Sequence, residues 1–150
     1  MPERETIERA RRDKRQGKSA STQAGEFVRE EMHHIRERKH GASSAKQAIA
    51  IGLSKARRAG VKLPPPRKGQ TSEKTRRSAA STYRKGQRGV RPSATRSRAR
   101  LKALLREGHA AASHQALSRQ ARSAAHRRSA ASRSAAARKA ARTRSQERWA

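Results

Sequence analysis

The sequence predicts an all-α chain: a small amphipathic helical hairpin carried between long basic flanking segments that are disordered or only conditionally helical. Three observations predict it. Residues 44–60, SAKQAIAIGLSKARRAG, combine a helix start, an apolar stripe at helical period and a helix stop. A second stretch of helical period, residues 22–39, precedes it across the short connection HGAS. Leu, Ile, Val and Phe together number only 14 of 150 residues. A strongly charged chain with less than roughly 20 % of these residues cannot bury enough apolar surface to order its whole length.

Residues 1–20 read as a charged N-terminal arm of both signs, with Ile7 as its large apolar residue. A short solvated helix is predicted through Arg4 to Gln16, followed by a linker at Gly17 to Ser21.

Residues 21–63 read as the hairpin. In its first helix Ala24, Phe27, Val28, Met32 and Ile35 share one stripe, while Glu26, Glu30, His33 and Glu37 gather on the opposite face, expected to be solvated or to contact the chain's own basic segments in competition with DNA. Gly41 is placed to end this helix. In the second helix Ser44 caps the first turn, and Gln47 reaches back to the Ser44 amide. Ala45, Ala48, Ile49, Gly52, Leu53, Ala56 and Ala59 fall within an arc of roughly 140°. Gly60 then suits a left-handed closing position, with Val61 and Leu63 folding back and Pro64, Pro65 and Pro66 preventing continuation. Helices joined so tightly pack antiparallel, and a unit of this size is marginally stable.

Residues 64–71 form a Pro/Gly linker, and 72–92 a short basic helix from Ser72 to Lys85 with a second linker. The tripeptide KGQ flanks this helix at both ends, Lys68 to Gln70 and Lys85 to Gln87. Residues 93–150 form an Ala/Arg/Ser-rich basic tail. Ser93 caps a helix bearing a narrow Leu101, Leu104 and Leu105 stripe, and the remainder is expected to be disordered when free and more helical against a polyanion.

Charge carries most of the functional information. The net charge is +29, and it is uneven: residues 1–40 hold 11 basic and 8 acidic side chains, residues 41–90 hold 13 and 1, and residues 91–150 hold 16 and 2. A polyanion whose bound counterions are released relieves such self-repulsion, so nucleic acid is the expected partner. The expected contacts are Lys46, Lys55, Arg57, Arg58 and Lys62 on the hairpin and Arg67 and Lys68 after it. In the tail they are Arg96, Arg98, Arg100, Arg119, Arg122, Arg127, Arg128, Arg133, Arg138, Lys139, Arg142 and Arg144. Without zinc-finger, homeodomain or RNA-recognition patterns, and with Phe27, Tyr83 and Trp149 too scattered for base stacking, backbone-directed binding of double-stranded DNA is favoured over RNA. Ile51, within the basic face, is expected either to pack on a third helix or a second copy of the chain, or to touch a groove.

Other classes have less behind them. There is no cysteine, which removes thiolate chemistry, and no nucleophile triad or phosphate loop, so no enzyme activity or cofactor is expected. Glu30 with His33 and Glu31 with His34 have the i, i+3 spacing of di-iron bundles, but the facing helix offers Ala, Ile and Leu, so no metal is expected. No apolar run reaches membrane-spanning length and the tail lacks a Trp/Leu/Phe face, so no membrane partner and a cytoplasmic, nucleoid location are expected.

Residues Ser21 to Pro66, STQAGEFVREEMHHIRERKHGASSAKQAIAIGLSKARRAGVKLPPP, resemble a bacterial family of small basic domains of uncharacterised function. Its members carry a KQAIAIGLSKARRAG-like segment and are often labelled DNA-binding or plasmid-stabilisation proteins. The resemblance implies a bacterial origin and a nucleic-acid context. The tail is similar in composition to those of linker-histone-like bacterial proteins, but is Arg-rich rather than Lys-rich. The favoured expectation is a non-enzymatic, sequence-tolerant DNA-binding protein, nucleoid-associated or DNA-protecting. The alternatives are an RNA- or ribosome-associated basic protein, or a self-associating interaction module in plasmid maintenance.

Overall fold

A computed structural model describes residues 1–149. The chain is all-helical: α1 (Arg4–Arg15), α2 (Ala20–Arg36), α3 (Ala45–Arg58), α4 (Glu73–Gln87), α5 (Ala94–Leu104), a 3-10 turn (Ala110–Ala112), α6 (His114–His126) and α7 (Ala130–Trp149). It divides into two units, one spanning Met1–Ser113 and the other beginning at His114.

The hairpin of α2 and α3 is the centre of the first unit. Ser44 Oγ accepts the Gln47 amide at 3.1 Å. Gln47 Oε1 in turn accepts the Ser43 amide at 2.7 Å, one residue before the expected partner. At the other end Gly60 takes φ +90°, the Gly60 amide donates to Arg57 O and the Val61 amide to Ala56 O. That pair of bonds is the Schellman closure, and it turns Val61 back into the core. The start of α2 meets the end of α3: Ala24, Phe27, Ala56 and Val61 share one cluster, with Leu53 and Leu63 against it. At mid-helix, a side chain at Gly52 would strike the Val28 backbone, so glycine sets how closely the two helices approach.

Several expectations are corrected here. The N-terminal segment is not a solvated arm: α1 buries Thr6, Ala10 and Asp13, and Ala10 joins the Phe27 cluster with Ile7 beside it. What draws it down is the face of α2 expected to be solvated. The Glu3 amide donates to Glu30 Oε1 at 2.9 Å and Arg9 Nε to Glu26 Oε2 at 2.7 Å, and Glu30 is 3 % exposed.

Helix α2 also stops earlier than expected. Arg38, at φ +60°, is the left-handed residue, and the Lys39 amide returns to His34 O at 2.9 Å. Gly41 serves a different purpose: its amide donates to Leu104 O, and the Ala42 amide to Gly108 O, both at 3.0 Å. A Cβ at Gly41 would collide with the Glu107 carbonyl. Gly41→Ala is therefore expected to undock the end of α5 and destabilise the chain by about 2 kcal/mol, as overpacking does. Urea unfolding of the full-length variant checks this, and a change under 0.5 kcal/mol would remove that role for Gly41.

Helix α4 is capped by Ser72, whose Oγ accepts the Thr75 amide, and packs on the C-terminal half of the hairpin. Gly86 lies against the Arg57 carbonyl, and Gln87 Nε2 donates to Gly60 O at 3.2 Å. The two KGQ copies thus differ in use, since Gly69 closes a turn at φ +86°. In α5 only Leu104 is buried, while Leu101 and Leu105 are 47 % and 59 % exposed. The 3-10 turn was not foreseen. It buries Ala111 and Ala112, and Arg36 Nε donates to Ala112 O at 3.0 Å.

The second unit corrects the expectation of disordered flanks, because α6 and α7 are helices. Alanine, arginine, lysine and glutamine favour helix intrinsically, and neither helix needs a buried residue. Helix α6 has two sides, with Ala116, Leu117, Gln120 and Ala124 half-buried and Arg119 and Arg122 exposed. At the turn, Arg133 Nη1 donates to Arg128 O at 2.7 Å. No helix among the described residues is long and apolar enough to cross a membrane.

Candidate nucleic-acid interface

The acids of this chain are mostly held by internal partners. Among the described residues, Glu3, Glu5, Asp13, Glu26, Glu30, Glu31, Glu37 and Glu73 all lie within ion-pair distance of a cation or histidine. Arg9, Lys18, Lys39, Lys55, Arg76 and Arg77 are the lysines and arginines that answer them. With 40 basic side chains in all, most cations have no carboxylate in reach. Glu73, the only acid between residues 41 and 90, is clamped by Arg76 at 2.9 Å. Hydrogen bonding to that guanidinium pulls the carboxyl below its ordinary value.

The structure divides the expected contacts. Lys46 and Lys62 are exposed at the start of α3 and just beyond its end, Arg67 and Lys68 are exposed in the turn after the prolines, and Arg96, Arg98 and Arg100 are exposed along α5. In the second unit Arg119, Arg122, Arg127, Arg128, Arg133, Arg138, Lys139, Arg142 and Arg144 are all exposed. On α7 they surround the axis: at 100° per residue Arg133 and Arg144 fall on one side, and Arg138 and Arg142 on the other. That helix offers phosphate-binding groups in every direction.

Two of the expected hairpin contacts have partners within the chain. Lys55 places Nζ on buried Glu31 Oε1. Arg57 is 7 % exposed and donates through Nε to Leu63 O and through Nη2 to Pro64 O, each at 3.2 Å. Loss of hydration on burial lowers the basicity of Arg57, and its role is to hold the proline turn to α3. Both residues border the apolar stripe on the helical wheel, where long basic side chains lie along packed surface. Arg58 is half-buried and donates to Val90 O at 3.3 Å. Ile51 is also half-buried. Sequence reasoning passed over Lys74, Arg77, Arg84 and Arg88, which are exposed on α4 or at its end; the single acid between residues 41 and 90 was the signal available.

Residues 15–68 match a family described as a family of unknown function (DUF6496). The chain is similar to that family over the end of α1, the hairpin and the proline turn, about a third of its length. No curated protein and no solved structure matches it.

Proposed function

We propose that this chain is a non-enzymatic, sequence-tolerant DNA-binding protein of the nucleoid, acting by neutralising the phosphate backbone. The observation that supports the reading is the separation of charge: most carboxylates are occupied inside the first unit, and exposed arginines and lysines outside these ion pairs lie on both units. Each phosphate contact releases condensed counterions, so affinity comes from the number of such cations rather than from a shaped pocket. Lys46, Lys62, Arg67 and Lys68 on the folded unit, with the α5, α6 and α7 arginines, are the contacts this reading names. Small alanines and serines between the arginines let the helix backbone approach the duplex closely.

The test compares affinities of the full-length protein for matched duplex DNA, single-stranded DNA and duplex RNA between about 50 and 200 mM salt. The expected result is preference for duplex DNA and a slope of log K against log salt of about −5 or steeper, the value for six or more phosphate contacts. Preference for duplex RNA would instead assign a ribosome-associated role. A flat salt response with no preference would reject charge-driven binding and direct attention to a protein partner for the hairpin.

A further inference from the structure

Where α2 meets the loop that follows it, three donor side chains converge that DNA binding does not use. Glu31 is fully buried; His34 lies one turn further along α2, and His40 comes from the loop, itself 6 % exposed. One ligand atom from each lies within 4.8 Å of the others. His40 Nε2 is 3.1 Å from Glu31 Oε2, and His34 Nδ1 is 3.8 Å from Glu31 Oε1.

Both rings are held from behind. His40 Nδ1 lies 3.0 Å from the Gly41 carbonyl oxygen, which only accepts, so that nitrogen carries the proton. His34 Nε2 lies 3.0 Å from Glu3 Oε1, which assigns its proton in the same way. The nitrogens turned toward Glu31 are the ones left to act as ligands. Glu31 Oε2 is correspondingly buried without a hydrogen-bond partner, since Lys55 covers only Oε1.

We propose that Glu31, His34 and His40 bind a divalent transition-metal ion of the zinc class, Glu31 acting through Oε2. Two imidazoles and a carboxylate form a donor set that zinc takes readily. A histidine whose remote N–H is fixed by a carbonyl or carboxylate is the usual outer-shell arrangement around such an ion. Tetrahedral ligands about 2.0–2.1 Å from zinc stand roughly 3.3 Å apart, close to the 3.1 and 3.8 Å between the two imidazole nitrogens and the Glu31 carboxylate oxygens. A second trio, Glu3, Glu30 and His34, competes for the same imidazole. It is the weaker set, because the Glu3 side chain is 50 % exposed and Glu30 Oε1 already accepts the Glu3 amide. Sequence reasoning set metal aside because α3 offers no ligand; the third donor comes from the loop instead.

The experiment titrates full-length protein with Zn²⁺ against a chromophoric chelator, with Co²⁺ absorption reporting the ligand geometry. One ion per chain is expected. His40→Asn, whose amide can still donate to the Gly41 carbonyl, should weaken Zn²⁺ binding at least a hundredfold while leaving the apo circular dichroism unchanged. Lys55→Met, by removing the competing cation, should tighten it about tenfold. A variant with His33, His109, His114 and His126 changed to alanine should bind as the wild type does. No Zn²⁺ binding by the wild type, equal affinity in His40→Asn, or loss of binding in the four-histidine variant would overturn the site. In that case His40 and Glu31 form a structural contact only.

Discussion

Removal of residues 114–150 is expected to lower affinity for duplex DNA at least a hundredfold at 100 mM salt and to make the slope of log K against log salt shallower by about 3. The segment holds ten basic side chains and one acidic one. No residue of α6 or α7 is buried, so nearly every cation there is free to reach phosphate. At roughly 0.9 of slope per contact in duplex DNA, three to four lost contacts give that change. The cut at Ser113 matters. A shorter chain ending near residue 90 would also remove the Leu104 and Gly108 carbonyls that receive the Gly41 and Ala42 amides, and would mix a folding defect with a binding one. The measurement is fluorescence anisotropy on a labelled duplex across a salt series, with circular dichroism confirming that residues 1–113 stay folded. If affinity falls less than threefold, the folded unit carries the binding, and Lys46→Glu with Lys62→Glu becomes the informative pair.

How much of this was legible in the sequence depends on the kind of signal each element carries. The hairpin was readable because three independent local signals agree in α3: Ser44 as cap, the Ala48, Gly52, Ala56 stripe, and Gly60 at positive φ. The docking of α1 was not. Its buried residues, Thr6, Ala10 and Asp13, are small or polar, and hydropathy gives them no weight against the eight other charged residues of the helix. They are buried because Glu26 and Glu30 on α2 have partners on α1, and that is a tertiary fact. Gly41 shows the same limit. A glycine after a helix suggests a stop, yet here the stop is Arg38 and the glycine admits a distant backbone. Among the site residues, exposure followed from charge alone for the tail, whereas the internal partners of Lys55 and Arg57 were not legible, because a helical wheel does not say how far a long side chain reaches across its border. The Glu31, His34 and His40 cluster was half legible: the i, i+3 pair was visible, and its third member was hidden in a loop whose path only the fold defines.

Phe27→Ala is expected to destabilise the chain by about 4 kcal/mol, the largest stability effect of any single truncation here. Phe27 is 1 % exposed, and Phe27 and Ile35 are the two large apolar side chains fully buried. Around it stand Ala10, Ala24 and Ala56 on three separate helices and Val61 just beyond α3, mostly small side chains that cannot extend into the space a lost ring leaves. A cavity therefore persists, and its cost adds to the lost transfer free energy. Against a total of about 5–15 kcal/mol for an ordinary domain, the variant should melt tens of degrees lower by circular dichroism. Leu105→Ala, at a 59 % exposed position, should change stability by less than 0.5 kcal/mol. Equal effects from the two would mean that the hairpin core is not the stabilising centre. Because the whole chain carries +29, added salt should raise the melting point of Phe27→Ala by screening self-repulsion. The same salt weakens phosphate binding. Fold stability and DNA affinity are thus expected to move in opposite directions with ionic strength, a divergence that a protein held together mainly by surface ion pairs would not show.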